Sequence, residues 1–340
     1  MTNENKRLDD YLSQMVEQNQ YKRDEFIDFS RLRMSTDGSF HTIKQVEGIE
    51  TIDTSFGNFR MTDWAATQLC KKINMPYRYY ENCPPLLRQQ NVNHWLERKN
   101  SKKVMMRLRE RNGETVIRGL LSAQYSRIDN HVLLGIVNDF MELSNHEYEI
   151  DVWKPREDSF HLRIIFNNTI RQVGFTPDGQ PDIHKIGVHI INSEVGKSHV
   201  RVIPLVYRLV CKNGLMAWVQ DGVALKQRHY GLSKEEMREK VAISIGEAFR
   251  MGQQTINVLE KSKEVEINNP YEIIERIVEK NKYSEKTANL ITEKYNKEND
   301  GTLFYLVQSI TDAAHEVSDD DRVDMEQEAS ILLRALTKVA

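Results

Sequence analysis

The sequence predicts an α+β fold: a mainly antiparallel β-sheet core with flanking helices and a helical C-terminal subdomain. Three observations lead there. Runs that alternate apolar and polar residues dominate the middle of the chain, punctuated by Asn112-Gly113 and Asn213-Gly214. Capped segments with apolar residues at helical spacing lie before and between those runs. From Asn268 onward the pattern becomes wholly helical. Three parts are expected: an N-terminal helical or mixed segment (1–100) packing on an α+β core (101–266), then an all-helical subdomain (267–340). Eight prolines and 16 glycines are too few for long low-complexity linkers, and no internal repeat is evident.

The elements follow in order. A helical or loosely ordered arm spans Leu8 to Gln20, followed by short strands around Phe26–Met34 and Gly48–Phe59. Thr62 or Asp63 opens a helix in which Trp64, Ala65, Leu69 and Cys70 share a stripe, ending before Pro76. Tyr77–Tyr80 and Pro84-Pro85 read as a turn region, and Leu86–Lys99 as a further short helix. Val104–Arg109 and Glu114–Leu121 flank Asn112-Gly113, whose positive φ angles suit a type I′ hairpin turn. Under a strict period of two, Lys103, Met105, Arg107 and Arg109 share one face of the hairpin, with Arg118 joining them from the second strand. Asn130 caps a helix over His131–Ser144. Strands are expected over Tyr148–Lys154, Ser159–Phe166, Ile170–Phe175, Ile183–Asn192, Val200–Cys211 and Leu215–Val219, with Asn213-Gly214 turning the last pair. Ser233-Lys-Glu-Glu236 is a capping box opening a long helix, and Asn269-Pro270 caps the first of three or four short C-terminal helices.

Hydrophobic and charged contents of 39% and 29% are those of a globular chain, not a disordered one. No stretch approaches the roughly 18 apolar residues that span a bilayer, and Met1–Asp10 has no apolar core of a signal peptide. Cys70, Cys83 and Cys211 are odd in number and widely spaced, which argues for a reducing compartment. A cytoplasmic protein without membrane contact is expected. The net charge of −3 hides an asymmetry, because Arg98–Arg127 carries nine Lys/Arg against two acids. From Asn257 to the end, 18 acids face 11 bases. A basic middle suits a chain that meets an anion there.

Several motifs are set aside. Gly196-Lys-Ser198 lacks the glycine five residues earlier, where Ile191 stands, and no helix opens after it, so it is not a phosphate-binding P-loop. His184 and His189 fall on opposite strand faces, and neither they nor His199 have a partner at metal-ligand spacing. Cys211 shows no local sign of activation and reads as a small buried hydrophobe. Asp129, Glu157, Asp158 and Glu194 form no pattern of paired metal-binding carboxylates. No cofactor, metal or catalytic residue is expected, and whether the chain is an enzyme stays open.

Polar blocks interrupt the strand pattern at Leu121-Ser-Ala-Gln-Tyr-Ser-Arg-Ile-Asp-Asn130, Asn192-Ser-Glu-Val-Gly196 and Tyr207-Arg-Leu-Val-Cys-Lys-Asn-Gly-Leu215. In the first, Arg127 and a helix N-terminus suit an anion, with Tyr125 as a stacking surface. Alternatively, Asp129 or Asn130 caps the helix and Arg127 pairs with Asp129. Glu194 turns a strand or orients Arg201 on the next one. These blocks, with Ser309-Ile-Thr-Asp-Ala-Ala314, resemble the phage/plasmid-like family catalogued as domain of unknown function 932, which includes prophage proteins of the YafZ and YfjQ kind. The resemblance runs from about Val104 to the C-terminal helices, with Gln124 and Lys212 as departures, and implies a mobile-element habitat but no reaction.

The leading expectation is a nucleic-acid-binding protein of a phage or plasmid, in DNA replication, recombination or single-strand annealing. The hairpin-then-helix order and basic sheet are similar, at fold level only, to annealing proteins of the Erf and RecT kind. Lys102, Lys103, Arg107, Arg109, Arg111, Arg118, Tyr125, Arg127, Arg201 and Arg208 are the candidate contacts, with single-stranded DNA the favoured ligand. The alternative is a protein-interaction module or inhibitor of a host defence system, binding host or phage proteins through the acidic tail. A third reading gathers Tyr125, Arg127, Glu194 and Arg201 into one enzymatic pocket. Oligomeric state stays open.

Overall fold

The computed structural model describes residues 7–337 except 56, 99–102, 145, 177, 210–212, 217–223, 232 and 299. Helix α1 (Leu8–Asn19) leads into β1 (Lys22–Asp28), β2 (Leu32–Met34), β3 (Phe40–Val46), β4 (Ile49–Ile52) and β5 (Phe59–Met61). Helices α2 (Asp63–Ile73), α3 (Tyr77–Asn82) and α4 (Pro85–Glu97) precede the hairpin β6 (Lys103–Arg111) and β7 (Glu114–Ser122), and α5 (Asn130–Ser144) follows it. Then come β8 (Tyr148–Pro155), β9 (Phe160–Phe166), β10 (Arg171–Phe175), β11 (Pro181–Asn192), β12 (Val200–Arg208), β13 (Asn213–Met216) and β14 (Leu225–Gln227). The chain closes with α6 (Lys234–Lys261), α7 (Pro270–Asn281), α8 (Glu285–Glu298), α9 (Leu303–Ala313) and α10 (Asp319–Thr337). This is the α+β fold that the alternating and helical patterns predict.

The strands form two sheets. The first runs β1-β6-β7-β5-β3-β2 with β4 on β3, all antiparallel except β5 beside β7. Val104, Met106, Leu108, Ile117 and Leu120 fill one of its faces against Leu69, Ile73, Val92 and Leu96 of α2 and α4. The second runs β13-β12-β11-β9-β8, with β10 on β11 and β14 on β12. Leu162, Ile164, Val188, Ile190, Val202 and Val206 pack in one cluster with Leu134, Val241, Ile245, Phe304 and Leu333. Each such side chain contributes about 1.5–3 kcal/mol by leaving water. A line after residue 100 therefore passes through the first sheet, where β1 pairs with β6 from Lys22↔Arg109 to Asp28↔Lys103. The helical tail likewise shares the core of the second sheet.

Signals that act over a few residues correspond to the structure. Asn112 and Gly113 have φ of 52° and 77°, the double left-handed turn of a type I′ hairpin. Thr62 accepts from the Ala65 N–H, and Ser233 with Glu236 makes both bonds of its capping box. Two expectations are corrected. Tyr77–Tyr80 is helical rather than a turn. Asn213 and Gly214 lie in β13, opposite Arg208 and Tyr207, rather than in a turn. Gly214 serves close approach instead, since a Cβ there would stand 3.2 Å from Arg163 Nη1. Cys211 and Lys212 lie outside the described residues. Among the described residues no helix is long and apolar enough to cross a membrane.

Candidate functional site

The hairpin β6–β7 carries one irregularity, and it decides where the arginines point. Arg107 pairs with Gly119 but Leu108 pairs with Ile117, leaving Arg118 as the extra residue of a bulge. A bulge re-aims the side chain it inserts. Arg107 and Arg118 are each 3% exposed. The hairpin face they share is covered by the Asn192–Gly196 loop: a Cβ on Gly119 would meet Val195 Cβ at 3.0 Å, and one on Gly196 would meet Leu121 Cδ2 at 2.9 Å. Gly196 also sits at φ 76°, where a side chain adds strain.

Glu194 is the centre of this junction and is 2% exposed. Its carboxylate takes Lys22 Nζ at 2.9 and 3.1 Å, Arg118 Nη2 at 2.7 Å and the Asn130 backbone N–H at 2.9 Å. The cap of α5 thus comes from a residue 64 positions away, not from Asp129 or Asn130. Asn130 instead accepts from Asn192 Nδ2 at 2.8 Å. Burial alone would raise the Glu194 pKa, but Arg118, Lys22 and the Asn130 N–H together hold it well below its ordinary 4.5.

Arg107 completes the lock. It donates to the Glu194 carbonyl at 2.8 Å and pairs with Asp24 at 2.9 Å and Asp129 at 2.5 Å. Burial would lower its pKa, yet Asp129, Asp24 and Glu194 hold it above the ordinary value. Trp64 Nε1 and Gln68 Nε2 donate to the Val195 carbonyl at 2.9 and 2.8 Å. Tyr125 donates to the Ser193 carbonyl at 3.0 Å, and Ser193 Oγ to the Asp158 carbonyl at 2.7 Å. Two of the polar blocks are therefore one buried interlock between the sheets, with every charge paired.

The predicted contacts scatter accordingly. Arg107, Arg118 and Arg208 are buried in ion pairs and present no face to a phosphate backbone. Arg208 makes a fork with Asp182 at 2.8–3.0 Å. Arg109 is half-buried and pairs with Glu157 at 2.5 Å, while Arg118 Nε binds the same carboxylate. Lys103 and Arg111 are exposed at the two ends of β6, and Lys102 lies outside the described residues. Arg127 is exposed and pairs at 3.4 Å with Asp24, not with Asp129. Glu194 does not orient Arg201, which stands opposite Lys226 across β12 and β14. The single pocket of Tyr125, Arg127, Glu194 and Arg201 is not formed, because Glu194 is saturated by other partners.

A second surface lies at the β14 edge. Tyr125 stacks on His229 with ring centroids 4.8 Å apart and 8° between planes. The Ser126 N–H donates to the His229 carbonyl at 3.0 Å, and Tyr230 donates to Gln124 Oε1 at 3.2 Å. These contacts bring the exposed Arg127 and the run Lys226-Gln-Arg-His-Tyr230 onto one edge. Lys226, Arg228 and Tyr230 are exposed, Tyr230 by 62%. His199 is held below its ordinary pKa by burial and then by Lys226, Arg228 and Arg201. The signal was legible: a basic-aromatic run at 226–230 beside the Tyr125 block. Among the described residues no group of three or more His, Cys, Asp or Glu is placed to hold a metal ion.

The molecule is thus a two-sheet α+β protein locked by a buried Glu194 junction and edged by a basic, aromatic rim. The model of the family described as a domain of unknown function (DUF932) matches residues 118–336, and the chain belongs to that family. The matched span begins at Arg118 and includes Glu194, whereas Lys22 and Arg107 lie outside it. No curated protein and no solved structure matches the chain.

Proposed function

We propose that this DUF932 protein binds single-stranded nucleic acid along the β14 edge, acting in replication, recombination or annealing of a mobile element's DNA. The observation that carries this is the register of Arg201 against Lys226, continued by exposed Arg228, Tyr230 and Arg127. An anion running along this edge would meet the exposed Lys226 and Arg228 side chains together. Tyr230 offers a face on which a base can stack, a sequence-tolerant contact worth about 1–3 kcal/mol. The β6–β7 hairpin contributes only its ends, Lys103 and Arg111.

Fluorescence anisotropy of labelled single- and double-stranded DNA and RNA across a salt series tests this. Removing two phosphate contacts with Lys226→Gln/Arg228→Gln should flatten the log–log salt slope on single strands by about 1.4. An unchanged slope, or no binding at low salt, overturns the reading. A second reading, a protein-interaction module, draws on the β3–β4 hairpin, which exposes Val46, Ile49 and Ile52 by 46%, 68% and 56%. Stoichiometric, nuclease-resistant recovery of a second protein would favour it.

A further inference from the structure

The β12–β14 pair has two chemically distinct faces. Val200 and Val202 are fully buried in the main core, with Gln227 and Leu225 directly across from them. Alternation puts Arg201 and its partner Lys226 on the opposite face. His199 lies one residue before Val200, and Arg228 one residue after Gln227, so the same alternation adds both to the Lys226 face. Lys226 and Arg228 are exposed, and His199 is half-buried within reach of their charges. His229 follows, buried and stacked on Tyr125.

Imidazole is the side chain whose charge changes near neutral pH. Burial lowers the His199 pKa from its ordinary 6.5, and Lys226, Arg228 and Arg201 lower it further. His229 also faces His199, but burial brings that ring down to about 4, so it stays neutral where His199 titrates. A polyanion laid on Lys226 and Arg228 reverses the field at His199, because phosphates beside the ring favour its charged form. Protonation and binding are then linked, each strengthening the other by the same factor. Granted that the β14 edge receives single strands, we infer that His199 is a proton-gated contact of that edge, neutral when the edge is empty and cationic beneath a bound phosphate backbone. Affinity therefore rises as the pH falls toward and below the ordinary imidazole range, by at most about tenfold per pH unit for one proton.

The full chain is titrated by anisotropy with an oligothymidylate carrying a 5′-hydroxyl and a pH-insensitive dye, between about pH 5.5 and 8 and over a salt series. Neither thymine nor an internal phosphate diester takes up a proton near pH 6, so the probe adds no titration of its own. The wild type should bind several-fold more tightly at the acid end, with a log–log salt slope steeper by up to about 0.7 as one more cation releases counterions. His199→Gln should lose both effects while matching the wild type at the alkaline end. His199→Lys should show the steep slope at every pH, which separates loss of the proton from loss of packing. Circular dichroism checks the fold of each variant. Calorimetry in two buffers of different ionisation heat should show proton uptake on binding, of up to about one per chain, that His199→Gln abolishes. An affinity that changes less than about twofold across the range, or that responds to pH equally in wild type and His199→Gln, overturns the inference and leaves the edge reading standing. No binding at any pH, or binding that Lys226→Gln/Arg228→Gln leaves unchanged, overturns both.

Discussion

Glu194→Gln is the substitution that the interlock makes most informative. The amide keeps the volume and can still accept from the Asn130 N–H, but it leaves Arg118 and Lys22 without the carboxylate that holds them at 2.7 and 2.9 Å. Removing one partner from a buried ion pair costs about 3–5 kcal/mol, because the remaining charge stays buried. The retained hydrogen bond to Asn130 puts Glu194→Gln at the lower end, about 3 kcal/mol. At about 2.1 cal/mol/K of unfolding entropy per residue, a chain of this length should lose about 4 °C in Tm if it unfolds as one unit.

Urea unfolding, followed by far-ultraviolet circular dichroism and tryptophan fluorescence, measures the loss. Trp64, bonded to the Val195 carbonyl, reports on the junction itself. A cycle with Arg118→Met should show coupling of about 1.5–3 kcal/mol, the double variant costing less than the two singles combined. The pH dependence has a definite sign. A carboxyl held below its ordinary 4.5 contributes stability above that pH and loses it as pH falls further. The gap between wild type and Glu194→Gln should therefore narrow as the pH drops below 4.5. A variant within about 0.5 kcal/mol of wild type, or an additive cycle, would refute the account of the junction.

Further predictions concern the surrounding frame. Burial drives the pKa of His184 and His229 down from 6.5 to about 4, against the opposing pull of Asp182 and of the Ser126 carbonyl respectively. The unfolded chain takes up these protons near 6.5 and the folded one near 4, so stability should fall across that window, by up to about 3 kcal/mol per histidine. His184→Gln should flatten the slope there by one proton's worth, as measured by urea midpoints at successive pH values. Gly187→Ala should cost more than about 2 kcal/mol, since its Cβ would stand 2.5 Å from the Ile164 carbonyl oxygen on the neighbouring strand. Arg208→Met should cost about 3–5 kcal/mol by stranding the fully buried Asp182, and the double variant Arg208→Met/Asp182→Asn should recover part of it. Unfolding free energies decide both.

What was legible in the sequence was what acts locally. Asn112-Gly113, Thr62, the Ser233 box and Asn269 announce their turns and caps because partner and donor lie within four residues. The blocks Leu121–Asn130 and Asn192–Gly196 stood out as polar where a core would be apolar, but their meaning did not. Glu194 meets Asn130 across 64 residues and Lys22 across 172, and no local pattern encodes such meetings. Period two places Arg107 and Arg118 on a face that would meet water, because it carries no sign of the bulge at Arg118 or of what covers that face. That face meets the other sheet. The basic run at 226–230 carries no strand signal of its own, because β14 is only three residues long and gains its neighbours through tertiary packing.

Hydrogen exchange measured by mass spectrometry, with and without a saturating single-stranded oligonucleotide, tests the central functional claim most directly. Binding along the β14 edge predicts slowed exchange in residues 224–231 and 122–128, with little change at 104–108, where β6 is already buried and paired with β1 and β7. Protection confined to the β6–β7 hairpin or to the C-terminal helices, with none at 224–231, would contradict it.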